Sequence, residues 1–295
     1  MTDATALRTS AQGTPADVAI RPRDIPFYRD GVAGSAGLDR WAGSLAETHY
    51  MNAMSMTFPE GERFFIDSVK HFRSLATGKL AEDVRNFITQ ESLHTREHVA
   101  FNQHLDPAHY PVAEIEQFVA RRTGLARKLP RVMQLTITTI LEHFTAIMAE
   151  DALRHPERFS TAPENVRRLW LWHAVEEMEH KAVAFDVWRL ATAKWSGLRR
   201  YFARARGILI STVMFNWTVT TIALMLMKAD GVTGLRARTA LYGYMFGPKG
   251  PYAGVLRNYV KWFRPGFHPW DIDDRALLAE WRPVFDAAAD ASKAA

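Results

Sequence analysis

The sequence of 295 residues contains no cysteine. This absence excludes disulfide bonds, thiolate nucleophiles, iron–sulfur clusters and zinc–thiolate sites, so a metal site in this chain must use histidine and carboxylate ligands. The sequence also shows no internal repeat, no heptad pattern and no alternation of apolar residues long enough for a sheet. Because 47% of the residues are hydrophobic and 12% are aromatic, we expect a globular, all-α protein with a substantial core.

The N-terminus lacks the apolar segment of a secretory signal. Residues 1–19 are mostly small and polar, which predicts a disordered start, whereas residues 20–295 are expected to form a single helical domain. The expected location is therefore cytoplasmic, either free or associated with a membrane.

The positive charge of the chain does not indicate a nucleic-acid partner. The net charge is +5, but Lys and Arg are spread along the chain. Only short clusters occur, such as the one formed by Arg199, Arg200, Arg204 and Arg206. Since no nucleic-acid motif accompanies them, we expect a solvated basic surface and no binding of nucleic acid.

Periodic apolar residues predict four long helices, which we place at residues 60–77, 80–103, 131–153 and 165–193. A shorter helix at residues 39–54 is expected to end before Pro59, because proline removes a helical hydrogen bond. The chain after residue 229 is rich in glycine and proline and is expected to be mostly loop, with a last helix near residues 274–289.

The fourth of these helices carries three metal-ligand side chains on one face. His173, Glu177 and His180 stand at positions i, i+4 and i+7, and residues at those spacings project from the same stripe of a helix. One helix can therefore direct two imidazoles and a carboxylate to a single point.

The other three long helices carry matching side chains. Glu91, His94 and His98 stand at i, i+3 and i+7 on the second helix, while Glu62 and Glu142 lie among apolar or small residues on the first and third. A lone Glu-x-x-His is most often a surface pair, but two copies alternating with two acidic residues on apolar faces indicate a common site.

This order of side chains is typical of a ferritin-like four-helix bundle that binds two metal ions. We therefore predict such a bundle, with additional N- and C-terminal helices and loops. Four carboxylates balance the charge of two divalent ions, and a mixed imidazole and carboxylate set suits two iron ions or manganese. The predicted ligands are Glu62, Glu91, His94, Glu142, His173, Glu177 and His180.

Some of the neighbouring residues allow two roles. His173 is either a seventh ligand, which we favour, or a hydrogen-bond donor behind a ligand. His98 either binds metal or orients a carboxylate, and we favour the second role. His143 and Glu176 lie about 100° round the helix from a ligand and are expected outside the site, and Glu179 is expected to face solvent.

The same segments resemble a known family. The runs FPEGERFF at 58–65, LEHFT at 141–145, WHAVEEMEHK at 172–181 and RPGFHP at 264–269 are similar, in order over about residues 20–275, to bacterial predicted metal-dependent hydrolases. The resemblance implies a metal enzyme of ferritin-like fold. The run from His173 to His180 is also similar to the extra-histidine ligand set of di-iron arylamine N-oxygenases.

These features predict a di-iron enzyme that uses O2 as co-substrate, draws on an electron donor and oxidises a small apolar or amphiphilic substrate. The family name supports an alternative, a two-metal hydrolase. A non-catalytic metal-binding bundle is the second alternative.

An uncharged stretch of 21 residues begins at Gly207 and ends at Met227. Its length would allow a membrane span, but its serine, threonine and asparagine residues weaken transfer into lipid. We favour a helix that is buried in the core or in a homodimer interface, with a peripheral membrane contact as the alternative.

Overall fold

A computed structural model describes residues 13–28, 40–248 and 250–294, and all of their regular elements are helices. The prediction of an all-α protein is therefore confirmed. Of the segment expected to be disordered, residues 1–12 lie outside the described residues. Residues 13–19 are described, and Thr14 and Val18 are buried against the domain.

Ten α-helices follow one another in the described part of the chain, with short 3-10 turns between some of them. They are α1 (Leu45–Phe72), α2 (Gly78–Asn102), α3 (Val112–Arg127), α4 (Arg131–Arg154), α5 (Glu164–His180), α6 (Val183–Ala191), α7 (Gly197–Ala229), α8 (Gly234–Phe246), α9 (Leu256–Lys261) and α10 (Arg275–Ala294).

Four of these helices form a closed ring. α1 packs on α2, α2 on α5, α5 on α4, and α4 on α1, so each of them turns one face to a shared interior. α7 and α8 cover α1 from outside, and α10 lies against α5. The ring agrees with the expected four-helix bundle, while its likeness to ferritin stays a prediction.

The expected break at Pro59 is wrong, since α1 runs through this residue. Proline at position 59 leaves the carbonyl of Ser55 without its usual helical donor. Asn102 of α2 supplies the missing bond, with its Nδ2 lying 3.2 Å from the Ser55 carbonyl oxygen. Packing between α1 and α2 therefore replaces the hydrogen bond that proline removes.

The helix expected at residues 165–193 is divided in two, because α5 ends at His180 and α6 begins at Val183. The turn coincides with a buried ion pair in which Lys181 Nζ lies 2.7 Å from Asp274 Oδ2. This pair ties the end of α5 to the chain just before α10. The tail is also more helical than expected, since α8 and α9 lie between residues 229 and 274.

By length and composition, α4 and α7 are the two described helices that could cross a membrane. In α4, 67% of the most apolar window is buried, as in the core helix of a soluble protein, whereas the figure for α7 is 33%.

Gly207 lets α7 approach α4 closely, because a Cβ there would lie 2.5 Å from Ile140 Cδ1.

Candidate metal centre

The four helices of the ring bring the predicted ligands to one buried place. Two groups of three side chains could each hold a metal ion, because one ligand atom from every member lies within 4.8 Å of the others. The first group consists of Glu62, His94 and His173, and the second of Glu91, Glu177 and His180.

Glu177 connects the two groups. Its Oε1 lies 3.0 Å from His173 Nε2 and 3.6 Å from His94 Nδ1 on one side, and 3.5 Å from His180 Nε2 on the other. Glu142 adjoins the second group, with Oε2 at 3.3 Å from His180 Nε2. All seven predicted ligands thus form one cluster, in which the Glu177 carboxylate lies between the two groups.

Many ligand atoms of this cluster are buried without a hydrogen-bond partner in the described residues. Such atoms are rare, because an unpaired buried polar group loses its hydration without compensation. Here they converge on one point, where two divalent cations would satisfy them, so the residues fit a metal pair. The atoms are Glu62 Oε1, Glu91 Oε1 and Oε2, His94 Nδ1, Glu142 Oε1 and Oε2, and His180 Nε2.

The protonation of the cluster is set by burial and by repulsion among its carboxylates. Burial, together with neighbouring carboxylates, raises the pKa of Glu62, Glu91 and Glu142 well above the usual value. Burial would also raise the pKa of Glu177, but His180 and His173 hold it well below the ordinary range. The pKa of His94 is lowered well below its usual value by burial, so metal binding would replace protons on carboxylates.

A chain of hydrogen bonds orients His173 towards the centre. The Ser55 hydroxyl donates to Asn102 Oδ1 at 2.7 Å, so it can only accept from His98 Nδ1, at 2.8 Å. Burial lowers the pKa of His98, and a neutral His98 with its proton on Nδ1 accepts at Nε2 from His173 Nδ1, at 2.7 Å. In a metal-bound protein this tautomer would direct the lone pair of His173 Nε2 to the ion, in place of the Glu177 Oε1 that lies 3.0 Å from it. His98 thus orients an imidazole rather than a carboxylate.

The rings of His94 and His180 are also hydrogen-bonded on the side that faces away from the cluster. His94 Nε2 lies 3.1 Å from Glu176 Oε2, and His180 Nδ1 lies 3.0 Å from Gln90 Oε1. Hydrogen bonds of this kind fix the ring and its tautomer. Glu176 lies outside the two ligand groups, but its contact with His94 shows a supporting role that the sequence pattern did not predict.

Glu179 is fully buried, so the expectation of a solvent-facing side chain is wrong. Its carboxylate accepts from Gln90 Nε2 at 3.0 Å and from Arg23 Nη2 at 2.8 Å. Arg23 also donates its backbone N–H to Glu176 at 2.9 Å. Arg23 lies in the extended segment before α1, more than 150 positions from Glu176 and Glu179. Helical periodicity therefore gives no indication of these contacts.

His143 lies away from the cluster. Its ring stacks on Trp262 with centroids 4.6 Å apart. Burial, with Lys181 and Arg204 nearby, lowers its pKa to about 3. It is therefore a neutral packing residue on the outer side of α4.

Two cavities reach the cluster from different sides. One of about 100 Å³ is lined by His173 and Glu177, and one of about 540 Å³, between α1, α3, α4 and α7, is lined by Glu62. Phe58 and Thr145 line both. The larger cavity has the size of a small-molecule site and a mainly apolar lining.

Replacing His173 by Ala is expected to lower the metal content from two ions per chain to about one. The first group would keep only Glu62 and His94 from its three members, while the second would keep all its own. Metal analysis of the purified protein measures this, with His155→Ala as a control at an exposed histidine. Unchanged occupancy and an unchanged absorption spectrum would show that His173 is not a ligand.

Fold and site together define an all-helical protein with a buried, cysteine-free cluster of carboxylates and imidazoles suited to metal binding. The model of a family described as predicted metal-dependent hydrolase matches residues 22–273. The chain belongs to this family. No curated protein and no solved structure matches the chain.

Proposed function

We propose that the protein is a two-metal enzyme that uses O2 to oxidise a small apolar or amphiphilic molecule. The observation that carries this proposal is the cluster of four carboxylates and three imidazoles beside an apolar cavity of about 540 Å³. A pair of iron ions, or of manganese ions, would supply the activation of O2.

The protein residues position the metals and keep water out. Phe64, Phe65 and Phe144 line the cavity next to Glu62, so a substrate there would displace water from the centre and lie against apolar walls. Exclusion of water protects a reactive oxidant from side reactions. In the proposed reaction, one oxygen atom of O2 is inserted into the substrate and the other is reduced to water. An external donor supplies the two electrons and two protons that this reduction needs.

The hydroxyl groups beside the ligands are bound to ligand carboxylates, so a hydrolase would depend on its metal ions to stabilise an oxyanion. In ester or amide hydrolysis, the oxygen that becomes negative in the transition state is stabilised by hydrogen-bond donors or by metal ions. Thr145 Oγ1 donates to Glu177, and Thr95 Oγ1 donates to Glu62 at 2.8 Å. Both hydroxyls are therefore engaged with ligand carboxylates and are not free to support an oxyanion.

A two-metal hydrolase is the second candidate, because the family description names that activity. In such an enzyme the ions lower the pKa of a bound water, which then attacks the substrate. The apolar cavity would suit an ester with a long or aromatic side chain. Turnover by the zinc or manganese form in the absence of O2 would favour this candidate.

Oxygenation of the reduced, iron-loaded protein tests the proposal. We expect two irons per chain, uptake of O2 after reduction and a transient absorption band, with the zinc-loaded protein as the control that takes up none. An iron-loaded protein that consumes no O2 and shows no transient band would refute the proposal. A metal content far above two per chain would indicate storage instead.

A further inference from the structure

The two halves of α7 differ in how far their apolar side chains are exposed. From Thr218 to Met227 most of its apolar side chains are buried, so this half belongs to the core. In the half before Thr218, Ile208 is buried, but several other large apolar side chains are between 41% and 67% exposed, and they include Phe202, Leu209, Ile210, Val213, Met214 and Trp217. The uncharged stretch is thus part core and part surface, which does not fit a helix that crosses a bilayer.

The exposed half of α7 borders the mouth of the larger cavity. Five apolar side chains line this cavity and are also more than a third exposed, namely Ile210, Met214, Leu125, Leu129 and Met133. They come from α7, from the end of α3 and the turn after it, and from the start of α4. Trp217 joins α7 to α3, because its ring lies 5.8 Å from the ring of Phe118 and 4.3 Å from the guanidinium of Arg122.

Positive charges predominate in the parts of the chain around this apolar face. Residues 187–270 contain thirteen Lys and Arg but a single acidic residue, Asp230, and residues 117–141 contain five Lys and Arg and no acidic residue. Asp230 is bound to His49 and His109 at the far end of α7. Lys and Arg are therefore spread along the whole chain, whereas Asp and Glu are scarce in these two segments.

Cationic and apolar side chains share one exposed stripe of α7. Arg199, Phe202, Arg206, Leu209 and Val213 follow one another at steps of three or four residues, and all five are exposed. Large apolar side chains interleaved with cations are typical of helices that lie in the interface of a membrane with anionic lipids.

We propose that this face, formed by the exposed half of α7 with the α3–α4 junction, docks on an anionic membrane surface. The apolar side chains would enter the lipid, and the cations would contact the headgroups. The cavity mouth then opens towards the lipid, which gives an amphiphilic molecule a path to Glu62 that avoids water. This path rests on the function proposed above, whereas the docking itself does not.

The charge of the face argues against a second copy of the chain as its occupant. A symmetric dimer places the same patch on both subunits, so two cationic faces without acidic residues would repel each other. A nucleic acid would satisfy the cations, but it would leave the aliphatic side chains of Leu209, Ile210 and Val213 without an apolar partner. An anionic bilayer matches both the charge and the apolar surface.

Sedimentation of the full-length protein with lipid vesicles tests the docking. We expect binding to phosphatidylcholine vesicles that contain phosphatidylglycerol to be at least tenfold tighter than binding to pure phosphatidylcholine. Val213→Glu should weaken this binding at least tenfold. Val284→Glu, an equal charge change at another exposed valine, on α10, should leave it within twofold, and melting curves should show that both variants are folded.

Equal vesicle binding by the two variants would overturn the proposal, because net charge alone would then explain the attraction. It would also be overturned if the protein bound no vesicles and formed a dimer that Val213→Glu dissociates. Loss of duplex DNA binding in Val213→Glu, without any vesicle binding by the parent protein, would likewise reassign the face. Metal-free and metal-loaded proteins should bind vesicles equally. A negative O2 experiment would therefore refute the proposed oxidation but not the membrane docking.

Discussion

Replacing Glu142 by Gln is expected to reduce metal binding from two ions per chain to one or fewer, and yet to raise the melting temperature of the metal-free protein. Glutamine keeps the shape of the side chain but removes a negative charge that a divalent ion needs. Without metal, an ionised Glu142 would lie fully buried near Glu177 and Glu62, so folding must either bury this charge or protonate it, and glutamine avoids both costs.

The gain in stability should depend on pH in a defined direction. Burial and neighbouring carboxylates raise the pKa of Glu142 in the folded protein well above the usual carboxyl value. A group of this kind contributes its full stability below its unfolded pKa, and that contribution is lost as the pH rises towards the folded pKa. The variant has no such loss, so its advantage over the metal-free parent should be small near pH 5 and larger near pH 8.

Melting curves of the metal-free proteins at several pH values, combined with metal analysis after reloading, measure both effects. We expect a rise of about 2 °C or more at pH 8, because ~1 kcal/mol corresponds to a few degrees in a large domain. Glu60→Gln is the matched control, since Glu60 forms a surface ion pair with Arg63 at 2.9 Å that is worth little. Two tightly bound ions in Glu142→Gln would contradict the assignment of this ligand.

The grouping of the seven candidate ligands could be predicted because it depends on local geometry. Residues three, four and seven positions apart share one face of a helix whatever the rest of the fold does. Once Glu62, Glu142 and the two Glu-x-x-His pairs are placed on helices that close a ring, an apolar interior leaves them few polar neighbours other than one another. The all-α class follows from the same periodicity.

Features that depend on distant contacts could not be predicted in the same way. Pro59 breaks a helix by its local chemistry, but Asn102 on another helix restores the lost hydrogen bond. Glu179 has the sequence character of a surface residue, and only the return of the N-terminal segment gives it a buried cation. Pairing over such separations is set by the completed fold rather than by spacing along one element.

Replacing Arg23 by Met is expected to destabilise the protein by roughly 3–5 kcal/mol, as when one partner of a buried ion pair is removed. The Arg23 side chain is 1% exposed and contacts Glu176, Glu179 and Asp286. Methionine retains much of the volume but leaves two buried carboxylates with less compensation. Arg21→Met is the matched control, because Arg21 is 41% exposed and pairs with Asp286 and Asp290 at the surface, where loss should cost about 0–1 kcal/mol.

The Arg23 variant should also weaken the metal group that contains His94. Burial raises the pKa of Glu176, and the nearby Arg23 opposes that rise, so loss of the cation raises this pKa further and weakens Glu176 as a hydrogen-bond acceptor for His94. Loss of a hydrogen-bond partner behind a metal-binding histidine typically costs 10–100-fold in affinity. Denaturant unfolding and metal titration of both variants measure the two effects. If the free energies of unfolding of Arg23→Met and Arg21→Met differed by less than about 1 kcal/mol and their metal affinities were equal, the buried cation would support neither the fold nor the metal centre.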